Sequence, residues 1–254
     1  MKISVVIITL NEEKNIGRCL DSVQEVADEV IVLDSFSSDN TITIARSKGA
    51  VVHQQAFSGY IEQKNKALTY AAHDYVLCLD ADEAPDETLK NNILQLKQAD
   101  SPEIAYTMNR GTYYCGQLIK HGSWYPDKKL RLFNKRMAHW GGENPHDKVI
   151  LQRPGAVKHL TGDLLHYSYN SISEHIAQNN KFSSISADTL FNHGKRTSLL
   201  KIIFNPWWAF VRSYFVYLGF LDGFYGFIVA INIAHLAFLK HCKLYQKQKL
   251  SSQL

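Results

Sequence analysis

Cysteine is scarce and scattered in this chain. Cys19, Cys78, Cys115 and Cys242 stand far apart, form no C-x-x-C pair and lie mostly among apolar neighbours, so neither a zinc cage nor a disulfide framework is expected. A reducing cytoplasm fits that usage. An excess of one charge is also lacking. The 28 Lys and Arg against 24 Asp and Glu leave a net charge of +4 over 254 residues, too weak a field to predict a nucleic-acid partner. No internal repeat or low-complexity run occurs. The apolar start, Ile3 to Thr9, is too short for a signal-peptide core and passes straight into Asn11-Glu12-Glu13, so it reads as a first strand. Near the other end, Leu199 to Leu221 contains Pro206, Arg212 and Trp207-Trp208, and Phe224 to Leu239 is interrupted by Asn232 and His235. A span needs about 20 mostly apolar residues, so neither stretch is predicted to cross a membrane.

With 45% apolar and 20% charged residues, the chain is globular and long enough for one large α/β domain plus an appendage. From residue 3 to about 98, strand-like and helix-like segments alternate, the pattern of βαβ units and a mainly parallel sheet. Ile3 to Thr9 is followed by Asn11 as a candidate N-cap and by Ile16, Leu20 and Val23 at helical spacing. Glu29 to Asp34 is a second apolar strand ending in a carboxylate, and Asp39 is a candidate cap in the turn-rich stretch after it. Ala50 to His53 reads as a third strand, and a helix from about Gly59 to Ala72 leads to the fourth. That fourth run, Tyr75 to Leu79, stops at Asp80-Ala81-Asp82-Glu83.

Ligands of open parallel sheets bind beyond the carboxyl ends of the strands, and carboxylate oxygens select Mg²⁺ or Mn²⁺ over softer metals. Asp80 and Asp82 are therefore expected to grip a divalent cation and, through it, a diphosphate, with Asp34 on the same sheet edge. The plainer reading is a strand followed by the acidic first turn of a helix, with Pro85 and Asp86 as start signals. Beyond Pro102 the pattern becomes irregular, aromatic and strand-like (Ile104 to Met108, Thr112 to Cys115, Lys129 to Phe133, Lys148 to Leu151), as expected of a pocket-building region. From Ser171 onward the chain reads as helical.

Four ordered motifs carry a resemblance: Val5-Val6-Ile7-Ile8-Thr9-Leu10-Asn11-Glu12; Val32-Leu33-Asp34-Ser35 with Ser38-Asp39-Asn40-Thr41; Gln63-Lys64-Asn65-Lys66-Ala67-Leu68; and Leu79-Asp80-Ala81-Asp82-Glu83. Together they resemble the inverting family 2 glycosyltransferases of the GT-A fold, a Rossmann-like, mainly parallel sheet flanked by helices. Gly116 to Asp127, Arg131-Leu132-Phe133, Pro145-His146-Asp147 and Gly219 to Gly223 resemble a narrower branch, the lipopolysaccharide inner-core β-1,4-glucosyltransferases. That branch usually has His-Glu where this chain has His146-Asp147, a carboxylate about one methylene shorter. The domain expectation is a GT-A catalytic region over 1–170, with a nucleotide-sugar half (1–100) and an acceptor half (101–170), and a helical, membrane-associating extension over 171–254.

The resemblance implies roles. Asp34 accepts hydrogen bonds from a uracil or ribose, the alternative being a cap for the Ser35 to Thr41 loop. Thr9, Asn11 and Glu12 frame the same base, though Glu12 fits equally as a first-turn dipole partner. Lys64 and Asn65 contact the nucleotide, unless they belong to a solvated helix face. Asp82 ligates the cation, and Asp80 faces ribose or a metal-bound water. His166 resembles a third metal ligand of some relatives, against the plainer role of a structural histidine. Arg131 pairs with a phosphate, and Trp124 stacks on a sugar or sits in the core. Inversion needs a base opposite the leaving group. Asp147 is the candidate and Glu143 the reserve, on a Gly141 to Asp147 segment read as a loop over the pocket.

The expected enzyme is a metal-dependent hexosyltransferase. Its donor is a UDP-sugar, most simply UDP-glucose, and its acceptor a lipopolysaccharide core or other lipid-linked glycan. It would sit at the cytoplasmic membrane's inner face, held by interfacial helices and by the basic run Lys240, Lys243, Lys247 and Lys249; packing of those helices on the core or in a homodimer is the alternative. Two rivals stand beside it. A nucleotidyltransferase would resemble a G-x-G-T-R loop after its first strand, where this chain has Thr9-Leu10-Asn11-Glu12. A catalytically silent membrane scaffold would have no use for Asp34, Asp80, Asp82 and Asp147 together.

Overall fold

Strands buried on both faces read as continuous aliphatic runs, and the first of these, β1 (Ile3–Thr9), sits in the middle of the sheet. It is followed by α1 (Ile16–Val23), β2 (Glu29–Asp34), α2 (Thr41–Ser47), β3 (Val51–Gln54), α3 (Tyr60–Tyr70), β4 (Tyr75–Asp80), β5 (Glu83–Pro85) and α4 (Glu87–Lys97). Then come β6 (Ala105–Tyr114), β7 (Gln117–Ile119), β8 (Asp127–Asn134), β9 (Ala138–Glu143), β10 (His146–Leu151) and β11 (Val157–Tyr169), and three helices, α5 (Ile172–Asn192), α6 (Leu199–Val211) and α7 (Gly223–Ser251). The computed structural model describes residues 1–98, 103–143, 146–152 and 154–251, without the side chains of Glu143 and His146. The chain forms two compact units, Met1–Arg110 with Asp127–Tyr167, and Gly111–Pro126 with Ser168–Leu254.

In the first unit the sheet order is β3-β2-β1-β4-β8-β6-β11-β5. The first four strands are parallel and β8 runs antiparallel to β4, so the arrangement is a mixed, mainly parallel GT-A sheet flanked by helices. Register decides what the sheet edge presents. Thr9 lies opposite Asp34 and Ile8 opposite Asp80, so both carboxylates leave the sheet at one edge. On one face, Ile3, Val5 and Ile7 pack with Ile16, Cys19, Leu20 and Val23 of α1 and with Leu89 and Ile93 of α4. On the other, Val6, Ile31 and Leu33 pack with Ala67, Leu68 and Ala71. Asp86 caps α4 by accepting from the Leu89 amide at 2.7 Å, as expected, while Pro85 belongs to β5. Where β11 crosses α4 the backbone admits only glycine. Gly162, at φ +95, crosses the start of α4 so closely that a Cβ there would overlap the Leu89 nitrogen and lie 2.8 Å from Asp86 Oδ1.

Several local expectations are corrected. Asn11 is not the cap of α1, which begins at Ile16 after Asn15; it adopts φ 54 and its Oδ1 accepts from the Ser38 amide at 2.8 Å. Asp39 lies one residue before the α2 cap Asn40 and accepts from the Thr41 and Glu13 amides. The pieces 104–108 and 112–115 merge into the single strand β6. The segment expected as a loop, Gly141 to Asp147, carries the paired strands β9 and β10, with Asp147 opposite Gly142; residues 144 and 145 lie outside the described set.

In the second unit, Asp222 ties a turn together. Its Oδ2 accepts from the Lys120 and His121 amides and its Oδ1 meets His121 Nδ1 at 2.9 Å. Trp124 is stacked on Tyr169 at 5.6 Å, beside Tyr114 and His175. Burial, aided by the charge of His235, pushes His175 down to about 4. The stretch read as interrupted lies within the 29-residue α7, and the helical segment Gly219–Ser251 that contains it is long and apolar enough by length and composition to cross a membrane. Asn232 does not interrupt it, because its side chain bonds the Ile228 carbonyl and its own carbonyl accepts from Asn179. Leu199, Leu200, Ile203, Phe204, Trp207 and Trp208 of α6 are all exposed.

Candidate active site

Three clusters gather at the carboxyl edge of the first unit's sheet. At the end of β2, the fully buried Asp34 accepts from the Ser37 amide at 2.8 Å, from the Ser37 hydroxyl and from Gln54 Nε2 at 3.3 Å. The Asn11 amide donates to the same Ser37 hydroxyl, and the Glu12 amide donates to Thr41 Oγ1 at 2.8 Å, so the loops after β1 and β2 are clasped together. Thr9 Oγ1 is buried and unsatisfied beside them. Burial raises the Glu12 carboxyl; its bond from Asn15 opposes the rise and the charge of Asp82 adds to it.

The second cluster is an ion lattice. Lys64 on α3 is buried, which removes the solvated-face reading, and its ammonium lies 3.1 Å from Asp80 and 2.9 Å from Asp147. Arg131 on β8 lies 3.1 Å from Asp80 and 2.8 Å from the fully buried Glu83. Burial alone would raise the Asp80 carboxyl, but Lys64 and Arg131 hold it well below the usual carboxylate range. Burial likewise works against the Arg131 cation, and Glu83 and Asp80 more than restore it. Trp140 on β9 roofs this lattice, its ring 4.5 Å from the Lys64 nitrogen. Asn65 fixes Trp140 at two points, donating to its carbonyl at 2.8 Å and accepting from its amide at 3.0 Å.

The third cluster is a pair. Asp82 follows β4, and the antiparallel pairing of β11 with β5 places His166 opposite Glu83, with His166 Nε2 3.1 Å from Asp82 Oδ2. Burial would lower the His166 pKa, but the Asp82 carboxylate outweighs it and the net direction is upward. Among the described residues, no three His, Cys, Asp or Glu side chains are grouped as a complete metal cage.

A cleft of about 580 Å³ opens beside the lattice, with Asp80, Asp147, Lys64, Arg131 and Trp140 among its walls. Asp147 and Lys64, far apart in sequence, thus meet at one place. The Glu143 side chain lies outside the described residues, and Trp124 belongs to the aromatic cluster of the second unit. Trp140, Glu83 and Arg110 escaped the reading of the sequence. For Glu83 a signal existed, an acidic residue directly after Asp80-Ala81-Asp82; for Trp140 none did, because its place depends on the pairing of β9 with β10.

Residues 4–160 match the profile of glycosyl transferase family 2. The chain belongs to that family. An uncharacterised glycosyltransferase of Rickettsia typhi is 34% identical over 96% of this chain and 86% of its own length. The lipopolysaccharide core biosynthesis glycosyltransferase LpsC of Rhizobium meliloti is 30% identical over 100% of this chain and 95% of its own. Among solved structures, the glucosyl-3-phosphoglycerate synthase of Mycobacterium tuberculosis, crystallised with Mn²⁺, UDP and glucosyl-3-phosphoglycerate, is 28% identical over 44% of each chain, with a TM-score of 0.36. Family 2 membership makes this chain a glycosyltransferase, and the clasped loops, ion lattice and Asp82–His166 pair occupy the sheet edge where its motifs fall.

Proposed function

We propose that this family 2 enzyme transfers glucose from UDP-glucose, with inversion and with the help of a divalent cation, to a lipopolysaccharide core or similar lipid-linked glycan at the inner face of the cytoplasmic membrane. The observation that carries the reading is the sharing of one buried ammonium, Lys64, between Asp80 on the donor strand and Asp147 on the hairpin. It brings the candidate base to the edge of the sheet where a nucleotide-sugar would lie.

In this reading Asp34 and the clasped loops hold the nucleoside, with Thr9 Oγ1 offering an unsatisfied polar atom beside it. Asp82 and His166 supply a carboxylate oxygen and an imidazole nitrogen 3.1 Å apart, and the carboxylate is the donor that suits Mn²⁺ or Mg²⁺. Such an ion usually takes its remaining ligands from phosphates and water. When bound, it stabilises the departing nucleoside diphosphate as a Lewis acid. Lys64 adds a fixed positive charge near the same diphosphate. Asp147 takes the proton of the attacking hydroxyl, and its strand pairs with β9, which Asn65 holds through the two-point bond to Trp140. Arg131, with its guanidinium engaged by Asp80 and Glu83, positions Asp80.

The membrane assignment rests on the exposed apolar face of α6 and the exposed Lys195, Arg196 and Lys201 around its start, the composition of a helix lying in an interface next to anionic lipid. The basic run after α7's apolar part contributes less than its sequence suggests: Lys243 bonds to Asn180, Ser183 and Ser184, and Lys247 pairs with Asp188.

Calorimetric titration with UDP, UDP-glucose and GDP-mannose, each with Mn²⁺ and with EDTA, tests the donor assignment. Cation-dependent binding of the uridine ligands, lost in Asp82→Ala, is expected. Binding that ignores EDTA would end the metal assignment, and no nucleotide binding at all would end the transferase assignment.

A further inference from the structure

The cleft beside Asp147 is far more basic than the chain as a whole. Six cations, Lys64, Arg110, Lys128, Lys129, Arg131 and Lys148, line it against the carboxylates of Asp80 and Asp147. Pairing accounts for four of the six. Lys64 and Arg131 are held by Asp80, Asp147 and Glu83. Arg110 meets Asp127 at 2.7 Å and Glu83 at 3.4 Å, and Lys129 meets Asp127 at 3.0 Å. Lys128 on β8 and Lys148 on β10 remain, exposed on the cleft and without an ion pair among the described residues.

Their place in the sheet says which substrate they meet. The order β2-β1-β4-β8 puts Asp34 on one side of Asp80 and β8 on the other, and the antiparallel course of β8 brings its first residues to the edge where β4 ends. A nucleoside held at Asp34 and a diphosphate at Asp80 and Asp82 leave Lys128 beyond the phosphates. Lys148 directly follows Asp147. The two lysines therefore flank the entry of the molecule that attacks the sugar, not the nucleotide that leaves. Two like charges facing one cleft are stabilised when an anion enters between them, and charge-assisted bonds of this kind are stronger than neutral ones.

We propose that the acceptor carries an anionic group, a phosphate or a carboxylate, which Lys128 and Lys148 receive while its hydroxyl is presented to Asp147. The proposal rests on the donor and base assignments above and adds to them the chemical class of the acceptor.

The test uses the full chain saturated with UDP and Mn²⁺ and titrates it at low ionic strength with glucose 6-phosphate, glucuronate and glucose. At least one anionic sugar is expected to bind about tenfold or more tightly than glucose, and which of the two does so separates phosphate from carboxylate. In Lys128→Ser/Lys148→Ser that preference should disappear with UDP affinity unchanged; both side chains are exposed, and an unchanged melting temperature would show that the fold is intact. No preference in the unmodified protein, or a preference surviving in the double variant, would overturn the proposal. Loss of UDP affinity in the double variant would also overturn it, by giving the lysines to the donor. Failure of the unmodified protein to bind UDP is a different result, and it removes the transferase reading itself.

Discussion

The two units place their expensive groups in opposite ways. The first buries charge: Asp34, Lys64, Glu83 and Arg131 are all inside, each matched by a bond or an opposite charge. The second exposes oil: Leu199, Leu200, Ile203, Phe204, Trp207 and Trp208 lie on the outside of one helix. Buried ion lattices seldom add stability over an apolar core of the same volume, because desolvation consumes the Coulombic gain, and contiguous exposed apolar surface is a liability in water. Neither arrangement is explained by folding alone. Under the proposed function each answers to a medium or ligand, a nucleotide-sugar in one unit and a lipid interface in the other.

The comparison breaks most easily at the pair that would hold the cation. Asp82→Ala should lower turnover by about a thousandfold, the equivalent of about 4 kcal/mol of leaving-group stabilisation, while sedimentation with anionic vesicles stays as it was; loss of both together would mean the two functions are not separable. Asp147→Asn should lower kcat by about 10² to 10⁴ and leave calorimetric UDP binding in place. A parallel fall in UDP affinity would move Asp147 from the base role to the donor site.

Stability comes next. Gly162→Ala puts a Cβ against the α4 backbone at φ +95 and should cost about 3 kcal/mol, read as a lowered melting temperature; a change under 1 °C would show that α4 yields to it. Trp207→Ser/Trp208→Ser should weaken vesicle binding by about tenfold or more, since each buried aromatic contributes about 1.5–3 kcal/mol, with turnover on a soluble acceptor preserved. Undiminished vesicle binding would make α6 a face for protein instead of lipid. The smallest effect concerns acid. His175 is held neutral, with its pKa near 4 in the fold against about 6.5 unfolded, so the unfolded chain takes up the proton first. Stability is then full above about pH 6.5 and declines as pH falls toward 4. A melting temperature that drops between pH 7 and pH 5 in the unmodified protein, and drops less in His175→Gln, is the expected result.

The sheet was legible because its signal is local and repetitive: aliphatic strands ending at Asp34 and Asp80, separated by helix-length segments. Asp86 was legible as a cap because capping needs only its own helix. Asn11 and Asp39 were not, since their partners sit across two loops, Ser38 for one and Glu13 for the other. Gly141 and Gly142 suggested a loop, yet the strands they belong to are set by pairing with β10 and by Asn65 on a distant helix. Asn232 and His235 were read as breaks in an apolar stretch, and α7 runs through both. Asn232 does so because Asn179 and Ile228 satisfy it from α5 and from its own helix. The carboxylates of the site and Lys64 could be named from sequence, but not the sharing of Lys64 between Asp80 and Asp147.

Gly162 touches none of the reacting groups, yet no other side chain fits where it crosses α4. A saturation survey scored by growth would place it beside Asp82 and Asp147 among the least tolerant positions. A survey scored by the activity of the surviving folded protein would separate them, because variants at Gly162 would drop out as missing protein and those at the two aspartates as protein that is present and idle. Intolerance along this chain is thus two maps printed on one sheet, one of chemistry and one of clearance, and only a second readout tells which is being read.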